Sequence, residues 1–116
     1  MKYQGSCHCG AVKWEFEQPG ITSAVRCNCS ICQRKGALMS GFTLAPDELK
    51  ITASEDVLRK YQFGSHIAEH YFCGHCGIYT FHATFRKPGH FRVNLGCIDD
   101  LDMNKVEVSF FDGKSL

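Results

Sequence analysis

With 116 residues the chain has room for one domain with a modest core. Its apolar fraction of 44%, with nine Phe, four Tyr and one Trp, is that of a soluble globular protein. A formal charge of +1 excludes a strong pull toward nucleic acid or an anionic membrane, and no run approaches the roughly 20 apolar residues of a membrane helix.

The first residues, Met1 to Cys7, contain no apolar stretch that would act as a signal peptide, so a cytoplasmic location is expected. Val12, Trp14 and Phe16 then alternate with Lys13, Glu15 and Glu17, the period of a half-buried strand. Ser30-Ile31-Cys32-Gln33 has capping-box spacing and predicts a short helical turn that Gly36 ends. The stretch 37–44 reads as extended. Pro46-Asp47-Glu48 looks like a helical first turn, which Ile51-Thr52 cuts short. The stretches 67–73 and 78–85 are rich in aromatic or β-branched residues and are punctuated by Gly or Pro. Phe91, Val93, Leu95 and Cys97 alternate with Arg92, Asn94 and Gly96 as a further strand, and Val106, Val108 and Phe110 give a weaker one. No repeat or linker interrupts the sequence. The pattern predicts a single, mainly β domain of antiparallel sheets.

Eight cysteines in a reducing compartment point to metal rather than disulfides. They fall into Cys7-His8-Cys9, Cys27-Asn28-Cys29-Ser30-Ile31-Cys32 and Cys73-Gly74-His75-Cys76, with Cys97 alone. A Cys-x-x-Cys turn converges two thiolates on one tetrahedral ion at about 2.3 Å, and glycines such as Gly74 and Gly77 let the backbone fold beneath it. Cys7 and Cys9 with Cys73 and Cys76 would make a closed four-thiolate site. Cys27, Cys29 and Cys32 would make a site with one position free. Zinc suits both, and seven thiolates would leave the metal-loaded chain net negative, which weakens a nucleic-acid role further. Spacing alone also allows a disulfide set, a redox-active Cys29/Cys32 pair, or a ribbon-like site made of Cys29, Cys32, Cys73 and Cys76.

Gly5-Ser6-Cys7-His8-Cys9-Gly10-Ala11-Val12, the run from Cys27 to Ala37, and Phe72-Cys73-Gly74-His75-Cys76-Gly77 resemble the glutathione-dependent formaldehyde-activating enzyme family. The same domain type occurs in centromere protein V. The three motifs come in the family's order with similar gaps, and 91–100 resembles its later strand and turn. The resemblance implies coiled antiparallel β-sheets in a compact, zinc-stabilised single domain over residues 1–116, with two Zn²⁺ per chain. It implies Cys7, Cys9, Cys73 and Cys76 as ligands of a structural zinc, and Cys27, Cys29 and Cys32 as ligands of a catalytic zinc. The sequence departs from the longer, glutathione-using members in ending at Leu116, without their extended C-terminal region. That bears on glutathione recognition and not on zinc.

Three thiolates make zinc electron-rich and favour a fourth sulfur over hydrolytic water. The expected activity is therefore carbon–sulfur lyase chemistry, forming or cleaving the adduct of a small thiol, such as glutathione, with an aldehyde such as formaldehyde. The alternative is a non-catalytic zinc-stabilised binding module of the same fold. No nucleic-acid or membrane partner is expected. His8 and His75 read as exposed loop residues, since four thiolates already close that site. His66, His70 and His82 read as solvent-facing or hydrogen-bonded strand residues, with His82 and Tyr79 the two that have a route to the open site. Cys97 reads as a small buried hydrophobe. Arg34 and Lys35 read as solvated at a helix end, with the option of meeting a substrate carboxylate.

Overall fold

The computed structural model describes residues 1–115 as ten strands, one α-helix and three short 3-10 turns. β1 (Lys2–Ser6) and β2 (Lys13–Glu17) form an antiparallel pair, extended on the far side of β2 by β5 (Lys50–Thr52). Trp14 and Phe16 of β2 are buried as their alternation requires. Glu15, on the other face, meets Lys2 and Lys50 from the flanking strands at 3.4 and 3.7 Å. The second sheet has the order β10-β3-β4, with β3 (Ser23–Cys27) between β4 (Met39–Ser40) and β10 (Glu107–Phe111). The third is a meander of β6 (Leu58–Tyr61), β7 (Glu69–Cys73), β8 (Tyr79–Ala83) and β9 (Phe91–Val93). Helix α1 (Ser30–Lys35) joins β3 to β4.

Single bridges stitch the sheets together: Gly5 with Ile98, Met39 with Asn94, and Leu44 with Phe91. They surround a core of Val12, Trp14, Phe16, Leu44, Phe81, Val93 and Leu95. Gly5 is a tight point of this core. It pairs with Trp14, and a Cβ there would lie 2.5 Å from the indole ring and 2.9 Å from the Cys97 carbonyl oxygen. Gly5→Ala is expected to cost about 1–3 kcal/mol, the usual penalty for overpacking a core. A denaturant titration checks this, and a loss under about 0.5 kcal/mol would contradict the packing.

The mainly β, antiparallel-rich reading holds, with five local differences. β10 pairs with β3 in parallel, bringing the end of the chain beside the middle cysteines. The alternation from Phe91 to Cys97 is strand only as far as Val93. The Asn94 side chain then accepts a hydrogen bond from the Gly96 N–H and folds Leu95–Cys97 into a 3-10 turn, with Leu95 and Cys97 still buried. Phe110, expected on an inward face, is 79% exposed. The capping box at Ser30 does not form: Cys29 takes the N-cap position without a side-chain bond, while Gly36 ends the helix at φ 69° as expected. Within 37–44 the strand shrinks to Met39–Ser40, and Pro46–Glu48 is an isolated turn.

Candidate metal centres

The loop between β1 and β2 carries Cys7 and Cys9. Gly10, at φ 83°, reverses the chain so that the Cys7 N–H bonds the Val12 carbonyl at 3.0 Å. The β7–β8 turn carries Cys73 and Cys76, closed by the Gly77 N–H donating to the Cys73 carbonyl at 2.8 Å with Gly77 at φ 79°. Backbone N–H groups are aimed at the sulfurs: Val12 at Cys7 Sγ (3.3 Å), and His75 and Cys76 at Cys73 Sγ (3.3 and 3.4 Å). The four sulfurs lie within 4.8 Å of one another. Cys7 Sγ to Cys9 Sγ is 3.7 Å and Cys9 Sγ to Cys73 Sγ is 3.6 Å. A tetrahedron with metal–sulfur bonds of about 2.3 Å has edges of about 3.8 Å, so the spacing suits one zinc-sized ion and not disulfides. The charges agree. Burial raises Cys76, but the N–H groups of Cys9 and Ile78, with neighbouring thiols, outweigh it and bring it down to about 6. The Ala11 N–H lowers Cys9, yet desolvation and three sulfur neighbours push it up to about 11. Four such thiols ionise together only around a cation.

Cys27, Cys29 and Cys32 form the second group, their sulfurs also within 4.8 Å of one another. Cys27 ends β3, Cys29 caps α1 and Cys32 lies one turn along it. The Cys29 N–H points at Cys27 Sγ (3.4 Å). The intervening Asn28 clamps this loop to the segment after β10: its Nδ2 donates to Asp112 Oδ1 at 3.0 Å, and its Oδ1 accepts from the Lys114 N–H at 2.9 Å. Gly113 fits beneath, where a Cβ would lie 2.5 Å from Cys27 Sγ. Burial, reinforced by the neighbouring sulfurs and opposed by Lys35, pushes Cys32 up to about 12. Both clusters can hold a metal ion. Among the described residues, the ribbon-like set of Cys29, Cys32, Cys73 and Cys76 is not brought together.

The three-cysteine group opens onto a cleft of about 660 Å³ between the β3–β10 and β7–β8 layers. His82 and His70 line it, and both are buried rather than solvent-facing. The Tyr79 hydroxyl bridges the two rings, 2.5 Å from His70 Nδ1 and 3.0 Å from His82 Nδ1. Lys35 is not a solvated helix-end lysine. Its Nζ donates to His82 Nδ1 at 3.3 Å and sits 4.0 Å from the centroid of the Tyr79 ring. Burial, then the Lys35 charge, lowers His70 to about 4 and His82 to about 2, so both imidazoles are neutral at physiological pH. Burial and the charges of Cys32 and Cys29 raise Tyr79, which stays protonated. Arg34 is exposed and donates to the Ser30 carbonyl at 2.9 Å. His8, His66 and His75 are exposed, and Cys97 is buried outside both sulfur groups.

Paired cysteine turns occur in many small folds, so the sulfur geometry alone names no family. The sequence model of the glutathione-dependent formaldehyde-activating enzyme matches residues 2–114. The chain belongs to that family. A crystal structure of a Rhodobacter sphaeroides protein is similar to it, with a TM-score of 0.83 and 37% identity over 93% of this chain and 99% of that one. The family assignment covers both sulfur groups and the elements that carry Lys35, His70, Tyr79 and His82. No helix among the described residues is long and apolar enough to cross a membrane.

Proposed function

We propose that this family member is a zinc-dependent carbon–sulfur lyase-type enzyme that forms or cleaves the adduct of a small thiol with an aldehyde. The observation that carries the reading is the three-cysteine group on the wall of a cleft, with neutral histidines and a half-buried lysine beside it. Cys7, Cys9, Cys73 and Cys76 would hold a structural zinc, and Cys27, Cys29 and Cys32 a second one whose fourth position accepts the substrate sulfur. On this reading residues 1–116 act as one domain.

Adduct formation makes a C–S bond, opens the carbonyl π bond and leaves an oxygen that takes up a proton, while the thiol gives one up. Lys35 ammonium is only a donor, so His82 Nδ1 is an acceptor and the ring proton sits on Nε2. That N–H is the donor His82 has left for a carbonyl oxygen in the cleft. Tyr79 and His70 hold the ring in place. Lys35 does not line the cleft. It acts behind His82, fixing the tautomer and offsetting the negative charge of the three thiolates.

Elemental analysis of chain purified without chelator is expected to give two zinc ions per chain. Adding a small thiol to the cobalt-substituted form should increase sulfur-to-metal charge transfer, and the protein should accelerate adduct formation. Metal content of one or below with the fold intact would remove the second site. If no thiol perturbs the metal and adducts form no faster than in buffer, the chain is a zinc-stabilised binding module instead.

A further inference from the structure

The cleft above Cys27, Cys29 and Cys32 has a composition that selects among thiols. Its wall is dominantly apolar, and Phe63, Phe85 and Phe110 stand exposed along it. Three aromatic side chains left in water around one concavity mark a surface that a ligand covers. Apart from the three cysteines, the charged residues of the wall are Arg86 and Arg92; among the described residues it includes no Asp or Glu. Neither arginine has a carboxylate partner among the described residues. Arg92 Nη1 donates to the carbonyls of Ser40 and Gly41, both at 2.9 Å, which fixes its position and leaves its charge uncompensated. The Arg86 guanidinium lies 4.2 Å from the centroid of the Phe111 ring, held by an aromatic face and not by an anion. Two guanidinium groups without carboxylate partners among the described residues, beside an apolar wall, suit an anion.

Glutathione matches this wall poorly. It carries an ammonium as well as two carboxylates, and its body is two polar amides. The ammonium would meet arginines and no carboxylate, and the amides would be desolvated against phenylalanine. We infer that the thiol taken by this site has an apolar body and a single terminal carboxylate. Its sulfur would lie at the three cysteines, its body along Phe63 and Phe85, and its carboxylate at Arg86 and Arg92. This rests on the thiol–aldehyde reading above and narrows its substrate class.

The test uses the full, metal-loaded chain and four thiols: 6-mercaptohexanoate, 6-mercaptohexanol, 2-mercaptoethanol and glutathione. Mercaptohexanoate is expected to bind about tenfold or more tighter than mercaptohexanol, which isolates the carboxylate, and likewise tighter than glutathione. Arg86→Gln, at an exposed position, should lower the acid-to-alcohol ratio about threefold or more, Arg92 retaining the rest. Phe85→Ser should weaken both six-carbon thiols and leave mercaptoethanol unchanged. Glutathione binding more tightly than mercaptohexanoate, or equal binding of acid and alcohol, would overturn the inference while leaving the lyase reading intact. A sulfur-free arm, heptanoate against heptanol by calorimetry, separates the two in the other direction. Preferential binding of heptanoate with no thiol effect on the metal would remove the lyase reading and keep the anion subsite. Sedimentation of the ligand-free chain as a dimer that Phe110→Ser converts to monomer, and that none of these acids dissociates, would place a second copy on the aromatic rim and also overturn the inference.

Discussion

Replacing Cys73 by Ser is expected to abolish cooperative folding, or to lower the melting midpoint by more than about 20 °C. Cys73 is completely buried, accepts two backbone N–H bonds at its sulfur and lies 3.6 Å from Cys9 Sγ. The group it belongs to joins the β1–β2 loop to the β7–β8 turn, with Cys9 and Cys73 64 residues apart in the chain. A metal bound there binds only the folded chain, so its binding energy is folding energy. Structural zinc in small peptides contributes about 10–16 kcal/mol, against about 5–15 kcal/mol for the whole stability of a typical domain. Circular dichroism melts measure the effect. Cys97→Ser is the control, a buried cysteine outside both groups that should cost only about 1–2 kcal/mol and retain the metal. A Cys73→Ser midpoint within about 5 °C of the parent would show that the four-sulfur group does not hold the fold.

Replacing Cys29 by Ser should have the opposite profile. The three cysteines of this loop lie within six residues, so a metal there closes almost no chain and adds little to folding. The midpoint should fall by less than about 5 °C. The thiol-induced change in the cobalt spectrum should vanish, and the adduct-forming rate should drop by about a hundredfold or more as sulfur and aldehyde lose their common anchor. Equal thermal losses in the Cys29 and Cys73 variants would mean that the two groups do not divide the work as proposed.

The sulfur groups were legible because thiol convergence is written in short spacings: Cys73-x-x-Cys76 and the three cysteines from 27 to 32 need only a turn each. β2 was legible because Trp14 and Phe16 alternate with charges on a sheet buried on one side. The Lys35, His70, Tyr79 and His82 cluster was legible only in part: the sequence offers His82 and Tyr79 a route to the open site and does not place His70 and Lys35 with them. In a regular strand Tyr79 and His82 point to opposite faces. The register of β7 with β8 shifts between Tyr71 and Phe72, a bulge that turns both side chains to one side and brings them within 3.0 Å. No pattern of residue types announces such a bulge, and Lys35 reaches the pair from a helix far away in sequence. Cross-strand pairing of His70 with His82 was available only once the register was known. The alternation beyond Val93 misled for a related reason, since burial continues through Leu95 and Cys97 while the backbone has already turned at Asn94.

The parallel pairing of β10 with β3 sets an order of assembly. All four cysteines of the closed group lie within the first 76 residues, so its ligands are complete without β8, β9 or β10. The open group needs partners that come later: Tyr79 and His82 on β8, Arg92 on β9, and the clamp between Asn28 and the residues following β10. The clamp spans 84 to 86 residues, against 64 between Cys9 and Cys73, and closure slows as that separation grows. During that interval Cys27, Cys29 and Cys32 are accessible thiols without their walls, the form of cysteine most open to oxidation. On the proposed reading, the residues that carry the chemistry therefore acquire their walls last, after the β1–β2 loop and the β7–β8 turn have been joined.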